Sequence, residues 1–374
     1  MRWTDRGECG GRRPARGAVV VCHVLGVMLL AAVLAGRAPG QLLAGAARVD
    51  VTPTTLPVIV NGGMTTRSID RVRSRLHARA IVLSTDERRV AIVIVDSCML
   101  PRALLDEVKT LAEERTGIRA ADILVGATHT HSAPAAMGCL GTDADPTYVP
   151  LLRERLVEAI GRARDGLEPA TVGFARADAA AFTALRQWIR RPDRIVDDPF
   201  GNRTVRANMH AAANPDDVTG EAGPEDPALS LLSIRAPDGR PIAVLGNFSM
   251  HYFGDQDLSA DYFGLFCDGL ERRLAPENAP GHGRFVALLS HGCSGDIWRV
   301  DYRVPEQDRP APSIEEYAAG LVDLAAGACA GIEHTADADL AMAETRLDLA
   351  LRVPDRQRLE WAERIVAGLG DRPP

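Results

Sequence analysis

Two of the chain's nine histidines lie two residues apart, directly after an apolar segment of strand-like composition. They are His129 and His131, in the sequence GATHTHSAP at 126–134. Side chains at positions i and i+2 of extended backbone project to the same face, so both imidazoles could reach one pocket. Neutral imidazole is a good zinc ligand, and the neighbouring Thr and Ser residues could orient the rings. The spacing favours a metal site and leaves open a pair of hydrogen-bonded loop histidines.

Two further polar segments follow predicted strands. His251 lies in GNFSMHYFG at 246–254 and, taken alone, is typical of a structural histidine. Asp261 is interpreted as the N-cap of the next helix rather than as a ligand. The segment SHGCSGD at 290–296 places small residues after a buried strand, where backbone amides could cradle an oxyanion or phosphate. The alternative for this segment is a compact turn without a ligand.

The elements that must position these residues alternate between strands and helices. Apolar runs and turn signals predict strands at 80–84, 90–96, 123–126, 171–175, 229–234, 242–247 and 285–290. Helical spacing predicts helices at 101–117, 146–166, 263–274, 314–329 and 356–369. The segment 186–227 is rich in Pro, Asp, Asn and Gly, and a loop of that length is usually functional. The fold class is α/β, a mixed β-sheet core flanked by helices, with the polar motifs at strand ends.

Composition and the N-terminal sequence limit the partners and the location. A net charge of -7 without a basic, aromatic-interleaved stripe makes nucleic acid an unlikely partner. Arginines, then an apolar run at 18–35, then small residues predict a signal peptide over residues 1–38, with a membrane anchor as the alternative. Either predicts an exported protein that is periplasmic, extracellular or anchored facing outward. The five cysteines after this leader show no CxxC spacing and favour buried thiols with at most one disulfide.

The polar segments, taken in order, resemble the neutral, non-lysosomal ceramidases. THTHSAP at 128–134 is similar to the THTHSGPGG signature of that family, and NFSMH at 247–251 is similar to its second histidine segment. The similarity continues through SADYFG at 259–264 and GCSGD at 292–296, so it covers residues 47–299, most of the chain. The resemblance implies a ceramidase-like catalytic domain, placed here at residues 45–374.

The resemblance also implies roles for individual residues. His129 and His251 would hold a catalytic Zn²⁺, and His131 would contact the reacting carbonyl or the oxyanion. Arg186, in Leu185-Arg186-Gln187, takes the place of a substrate-contacting arginine, although the family's preceding asparagine is absent. Ser294 and Asp296 are assigned to the substrate-binding turn. Ser294 is not assigned as a nucleophile, because a zinc-activated water makes a serine nucleophile unnecessary.

The resemblance departs from the family at one place. The family completes its zinc site with a glutamate in a Pro-Gly-Glu segment and a later tyrosine, and both lie downstream of everything matched here. No Pro-Gly-Glu segment occurs in these 374 residues. We therefore expect a truncated sequence, or a member whose remaining residues are encoded elsewhere. Catalytic zinc usually has three protein ligands, and Asp96, which ends a strand beside the HxH strand, is the first candidate for the extra ligand. Asp261 and Asp296 are the other candidates.

The predicted function is zinc-dependent hydrolysis of N-acyl amide linkages, in the manner of a ceramidase acting in sphingolipid metabolism. The expected partner is a lipid-like or other N-acyl amide, with association with a membrane surface as a further expectation. The alternatives are an exported family member that acts on another amide or ester, and a non-catalytic binding protein with an incomplete metal site. A phosphatase is disfavoured because no acidic metal-ligand series accompanies the histidines.

The first prediction concerns zinc content. Replacing both His129 and His251 with Ala should abolish zinc binding by the purified protein, because the pair supplies the ligands that the motifs identify. Metal analysis of the two purified proteins measures this directly. Undiminished zinc in the double-alanine protein would rule the site out.

Overall fold

The structure, a computed structural model, describes residues 41–275, 285–351, 353–370 and 372. The predicted leader at 1–38 lies outside the described residues. The helices are α1 (Arg102–Thr116), α2 (Tyr148–Asp165), α3 (Asp261–Leu274), α4 (Ile314–Ala330) and α5 (Arg356–Leu369). Among the described residues, none of the helices has both the length and the apolar character needed to cross a bilayer.

Two mixed sheets carry the architecture. The first has the order β6-β5-β4-β1-β7 and consists of β1 (Leu43–Asp50), β4 (His77–Ser84), β5 (Arg89–Val95), β6 (Ile123–Ala127) and β7 (Glu168–Pro169). The second has the order β15-β14-β13-β8 and consists of β8 (Thr171–Asp178), β13 (Ala228–Arg235), β14 (Pro241–Phe248) and β15 (Val286–His291). The α/β class with helix-flanked mixed sheets is therefore confirmed, with two sheets in place of one continuous sheet.

The two sheets pack face to face, with helices on their outer faces. Ile81 and Ile94 of the first sheet share a buried cluster with Ile234 and Leu288 of the second. A separate buried cluster joins the first sheet to α1 and α2, and a third joins the second sheet to α3 and α4. Burial of these apolar faces, at about 25 cal/mol per Å², is the main source of stability for such layers.

Each sheet contains one parallel pair, and these pairs determine where the site lies. In the first sheet β5 runs parallel to β6, and in the second β14 runs parallel to β15, while the other named pairings in both sheets are antiparallel. The carboxyl ends of parallel neighbours lie at the same edge of a sheet. The segments that follow β6, β14 and β15 contain His129, His251 and Ser294. Each parallel pair therefore places the polar residues of its own sheet at one edge.

The segment predicted as a long loop contains a small sheet of its own. Its strands are β10 (Gln187–Arg190), β11 (Ala207–Met209) and β12 (Val218–Glu221), in the order β11-β10-β12. Two-residue strands β9 (Ala184–Leu185) and β16 (Ile297–Trp298) pair beside it, and β2 (Val58–Val60) pairs with β3 (Arg67–Ile69). These strands are too short and too polar for their alternation to be read from the sequence.

Strand β1 was not predicted, because Ala and Gly dominate its first half and have low strand propensity. The structure explains the small residues. A Cβ atom at Gly45 would come within 2.1 Å of the backbone oxygen of Ala163, so α2 lies directly against this strand. Cys98, Cys139, Cys267, Cys293 and Cys329 are free, so no disulfide occurs among the described residues.

A buried ion pair ties β4 to the end of β5. Arg79 Nη1 donates to Asp96 Oδ2 at 2.8 Å, and both side chains are almost completely buried. The same carboxylate oxygen accepts the backbone N–H of His77 at 2.8 Å. Removing one partner of a buried pair leaves an uncompensated charge, which costs more than the pair itself contributes.

The second prediction concerns this pair. Asp96→Ala should lower the free energy of unfolding by about 3–5 kcal/mol, because Arg79 would remain buried without its counter-ion. Asp106→Ala removes the half-exposed partner of Arg102 and serves as the control, with an expected change below about 1 kcal/mol. Urea denaturation of the three proteins measures the difference. Equal stability of the two variants would contradict the assignment.

Candidate metal centre

His129 follows β6 and is oriented by the neighbouring strand end. Its backbone N–H donates to the Ser97 oxygen at 2.9 Å, and its Nδ1 lies 2.7 Å from the Cys98 backbone oxygen. A carbonyl oxygen can only accept, so Nδ1 carries the proton, and Nε2 has a lone pair that accepts from Nε2 of His131 at 3.1 Å. The residue has φ of 72°, in the left-handed region. Strained backbone of this kind is found most often at functional sites.

His251 follows β14 and is held in the same manner. Its Nδ1 lies 3.0 Å from the backbone oxygen of Ser294, so this nitrogen donates and Nε2 has a free lone pair. The residue is 8% exposed. Metal-bound histidines usually donate their second nitrogen to a carbonyl or carboxylate oxygen, which fixes the tautomer and ring orientation. Both histidines are therefore arranged as zinc ligands are arranged.

The rings converge although they come from different sheets. The ring centroids of His129 and His251 are 4.7 Å apart, and those of His129 and His131 are also 4.7 Å apart. His131 and His251 are separated by 5.3 Å. The sequence predicted that imidazoles from two distant strand ends meet, and the structure brings these three together. Among the described residues, the group whose ligand atoms lie within 4.8 Å of one another contains His129 and His131 with Cys98, and it does not contain His251.

His131 is a half-buried member of the cluster. Its Nε2 is 3.1 Å from Nε2 of His129, and its ring stacks on Tyr252 with centroids 3.7 Å apart. Behind it is Gly62, with φ of 100°, where a Cβ atom would come within 2.6 Å of the His131 ring. The tyrosine therefore packs on one face of the ring, and the missing side chain at Gly62 leaves room for the ring.

His291 is a fourth imidazole in the cluster, and the sequence reasoning did not assign it a role. Its centroid is 5.1 Å from that of His129 and 6.2 Å from that of His251. Its Nε2 is hydrogen-bonded to the Ser294 hydroxyl. The signal that could have identified it is positional, because His291 ends β15 just as His251 follows the parallel neighbour β14.

Arg186 lies close enough to the cluster to act on it electrostatically. Its Nε and Nη2 donate to the Gly295 oxygen at 3.1 and 2.6 Å, and its guanidinium is 5.7 Å from the Trp298 ring centroid. Its charge lowers the pKa values of His129 and His251 as a contribution secondary to burial. Asp296 contacts this arginine through its backbone oxygen, which accepts the Arg186 N–H at 2.8 Å.

The imidazoles are uncharged at neutral pH. Burial, followed by the charges of neighbouring imidazoles, lowers the pKa of His131 to about 3 and that of His291 to about 3. The Thr128 backbone acts in the opposite direction on His291. Burial lowers the pKa of His251 to about 4 and also lowers that of His129. Neutral rings retain the lone pairs that a metal requires.

The acidic candidates for a further ligand have other partners. The Asp96 carboxylate is held in the buried ion pair with Arg79, so the structure does not bring it together with the histidines. Asp261 accepts the backbone N–H groups of Phe253, Gly254 and Tyr262 at 2.6–2.9 Å. The helix predicted to follow it does begin at Asp261, with Ala260 as the N-cap. Asp261 thus fixes the loop after His251 instead of capping the helix.

Cys98 completes the closest group of metal-ligand atoms in the described chain. One ligand atom from each of Cys98, His129 and His131 lies within 4.8 Å of the others. The Cys98 sulfur is 3.9 Å from Nδ1 of His129, the nitrogen that already faces the Cys98 carbonyl. Burial raises the pKa of this thiol to about 12, so it stays protonated. The sequence reasoning did not single out this residue.

Comparisons with known proteins show the family and a similar fold. Residues 42–299 match the family model described as neutral/alkaline non-lysosomal ceramidase, N-terminal. The neutral ceramidase of Pseudomonas aeruginosa has a similar fold, with a TM-score of 0.57 and 17% identity, covering 79% of this chain and 45% of that one. A structure described as ceramidase complexed with C2 gives a TM-score of 0.56 and 17% identity, covering 78% and 44%. The chain thus spans less than half the length of either structure. No curated protein sequence is similar enough to the chain to count as a match.

The third prediction tests the packing behind His131. Gly62→Ala should raise the pKa of His131 toward its ordinary value, because the new methyl group pushes the ring out of its buried position. NMR titration of the histidine ring signals in chelator-treated protein measures the pKa. Gly63→Ala is the matched control, since the nearest atom to its Cβ is 3.8 Å away. An unchanged pKa in the Gly62 variant would contradict this role.

Proposed function

Because the chain belongs to the neutral/alkaline non-lysosomal ceramidase family, we propose that it hydrolyses N-acyl amide linkages with a zinc ion held by His129 and His251. The observation that carries this proposal is the pair of imidazoles from two sheets, each with its Nδ1–H on a backbone oxygen and its Nε2 unprotonated. When bound, zinc would activate a water molecule and polarise the amide carbonyl as a Lewis acid.

His131 is the residue best placed to act on the reacting carbonyl. It is uncharged at neutral pH, so one ring nitrogen carries a proton that can be donated to an oxygen atom. Stacking on Tyr252 keeps the ring at a fixed angle, with its Nε2 close to Nε2 of His129. A hydrogen-bond donor fixed beside the point where oxyanion charge develops lowers the barrier without further reorganisation.

Aromatic residues beside the histidines support a substrate with an apolar chain. Tyr252 and Trp298 have ring centroids 5.4 Å apart, and Trp298 lies 6.5 Å from His251. Arg186 lies over the same tryptophan and would interact with a polar group of the substrate. Apolar walls with a few fixed polar groups are typical of small-molecule sites. This is the basis for proposing a lipid-like N-acyl amide and a role in sphingolipid metabolism.

The turn after β15 would support the substrate-binding side. Ser294 contributes its backbone oxygen to His251, and Gly295 contributes its oxygen to Arg186. Ser294 is therefore proposed to position these groups, and Asp296 to hold the Arg186 backbone. Export is proposed from the leader-like sequence at 1–38, and access to lipid at a membrane surface would follow from it.

The fourth prediction is the assay of this activity. The purified protein should hydrolyse a long-chain N-acyl sphingoid amide, lose activity on treatment with a chelator, and regain it with added Zn²⁺. His129→Ala should lower kcat/KM by about a thousand-fold or more, because the metal supplies several kcal/mol of transition-state stabilisation. His334→Ala is the matched control, since His334 is hydrogen-bonded to Ser233 in the second sheet and lies outside the cluster.

A panel of substrates separates the proposal from its alternatives. Long-chain amides, short acyl amides and the matching esters should be compared at equal concentration. Preference for a short amide or an ester would support a hydrolase whose substrate is not a lipid-like amide. Bound zinc without hydrolysis of any member would overturn the enzymatic proposal and favour a binding protein.

A further inference from the structure

Two arginine side chains flank Trp298, whose ring centroid is 6.5 Å from that of His251. The Arg299 guanidinium lies 4.6 Å from the Trp298 ring centroid and 4.3 Å from that of Phe253. The Arg186 guanidinium lies 5.7 Å from the centroid of the same tryptophan. Guanidinium groups pack on aromatic faces in this way because the ring face carries partial negative charge. The tryptophan therefore holds two positive charges beside the histidine cluster.

Neither guanidinium has a carboxylate as its hydrogen-bond partner. Arg299 Nη1 donates to the Phe253 backbone oxygen at 2.8 Å, and both donating nitrogens of Arg186 share the Gly295 backbone oxygen. In the part of the chain that the structure describes, neither arginine forms an ion pair. Arg303, four residues after Arg299, differs in this respect. It has three carboxylate partners, which are Asp301, Glu221 and Glu225.

Several N–H groups of the two arginines remain available to a ligand. A guanidinium carries five N–H donors, and the bonds described above use few of them. The nitrogens without a protein partner are Nε and Nη2 of Arg299 and Nη1 of Arg186. None of these three is among the buried atoms that lack a hydrogen-bond partner, so each is accessible from the solvent. A negatively charged group could therefore reach them.

The positive charge of the two arginines is compensated only in part. Asp261 acts through its charge on Arg299, and Asp296 acts in the same way on Arg186. The Asp261 carboxylate is buried and accepts three backbone N–H groups, whereas Asp296 bonds Arg186 through its backbone oxygen. Burial lowers the pKa values of both arginines, which is the expected direction where no carboxylate pairs closely with them. An incoming anion would therefore be attracted to this place.

We propose that Arg186 and Arg299 bind a carboxylate group on the amine portion of the N-acyl amide substrate. The inference rests on the proposed function and adds the head group that the site prefers. The acyl chain is apolar, so only the amine portion can carry a charge close to the reacting carbonyl. The planar guanidinium matches the geometry of a carboxylate, and such charge-assisted hydrogen bonds are about twice as strong as neutral ones. Two partly compensated arginines suit a single negative charge.

The test compares two amides of the same long-chain acid, one made with glycine and one made with ethanolamine, presented in the same neutral detergent. The amine portions differ in a carboxylate against a hydroxyl group. The parent protein should hydrolyse the glycine amide with a kcat/KM about ten-fold higher, because its hydrogen bonds to arginine are charge-assisted. Arg299→Gln keeps hydrogen-bond donors and removes the charge, so it should reduce this preference to about two-fold or less.

Two further variants refine the comparison. Arg303→Gln is the matched control and should keep the ten-fold preference, since the charge of Arg303 is already compensated by its carboxylate partners. Arg299→Lys keeps the positive charge without the planar fork, and should retain part of the preference that Arg299→Gln loses.

The competing use of Arg299 is structural, as a side chain packed between two rings and bonded to the Phe253 oxygen. That role predicts equal losses of kcat/KM for the two amides in Arg299→Gln, so that the preference of the parent protein persists. This result would overturn the inference, and so would equal kcat/KM values for the two amides in the parent protein. Both results leave the proposed function intact. Failure of the zinc-loaded parent protein to hydrolyse any long-chain amide would refute the proposed function itself.

The salt dependence of the parent protein provides a measurement that needs no variant. Salt screens charges that are accessible from the solvent, so the preference for the glycine amide should fall as the salt concentration rises from about 0.01 M to about 1 M. A preference that stays the same over this range would contradict recognition by charge. This measurement decides the question even where Arg299→Gln does not fold.

Discussion

Backbone carbonyl oxygens at strand ends determine which nitrogen of each histidine faces the cluster, and the rest of the site depends on this. The Cys98 oxygen binds Nδ1 of His129, and the Ser294 oxygen binds Nδ1 of His251. A carbonyl cannot donate, so the tautomer of each ring is set before any ligand arrives. Burial keeps the rings neutral, which preserves the lone pairs at neutral pH. The backbone geometry of the two sheets therefore determines which ring nitrogens can bind a ligand.

The sheets provide that geometry through their parallel pairs. Because β5 and β6 end at the same edge, the segment after β5 supplies the carbonyl and the segment after β6 supplies the imidazole. The pair β14 and β15 repeats the arrangement in the second sheet. The buried pair of Arg79 and Asp96 holds the end of β5 to β4. Asp96, which the sequence offered as a metal ligand, therefore stabilises the first sheet instead.

Much of this arrangement could be predicted from sequence, and the failures have physical reasons. The long apolar strands and the amphipathic helices were located to within a few residues, because the spacing of apolar residues is characteristic in each. The motif order identified the family and the convergence of His129, His131 and His251. The role of Asp96 could not be predicted, since its partner Arg79 lies on the preceding strand and alternation alone does not show which charges are buried. His291 was missed because its position at the end of a strand indicates a site only once β14 and β15 are known to be parallel neighbours, and strand pairing is not visible in one sequence.

The division of the histidines between two sheets has a consequence for the thermodynamics of the whole molecule. His129 belongs to the first sheet, and His251 belongs to the second. A metal ion shared between them would act as a further cross-link between two layers that are also joined by apolar contacts and by the ion pairs of Arg48 with Asp268 and Glu271. Anything that binds the native state and not the unfolded chain stabilises the native state by mass action. Metal binding at the proposed site would thus raise the free energy of unfolding, and removal of the metal would lower it.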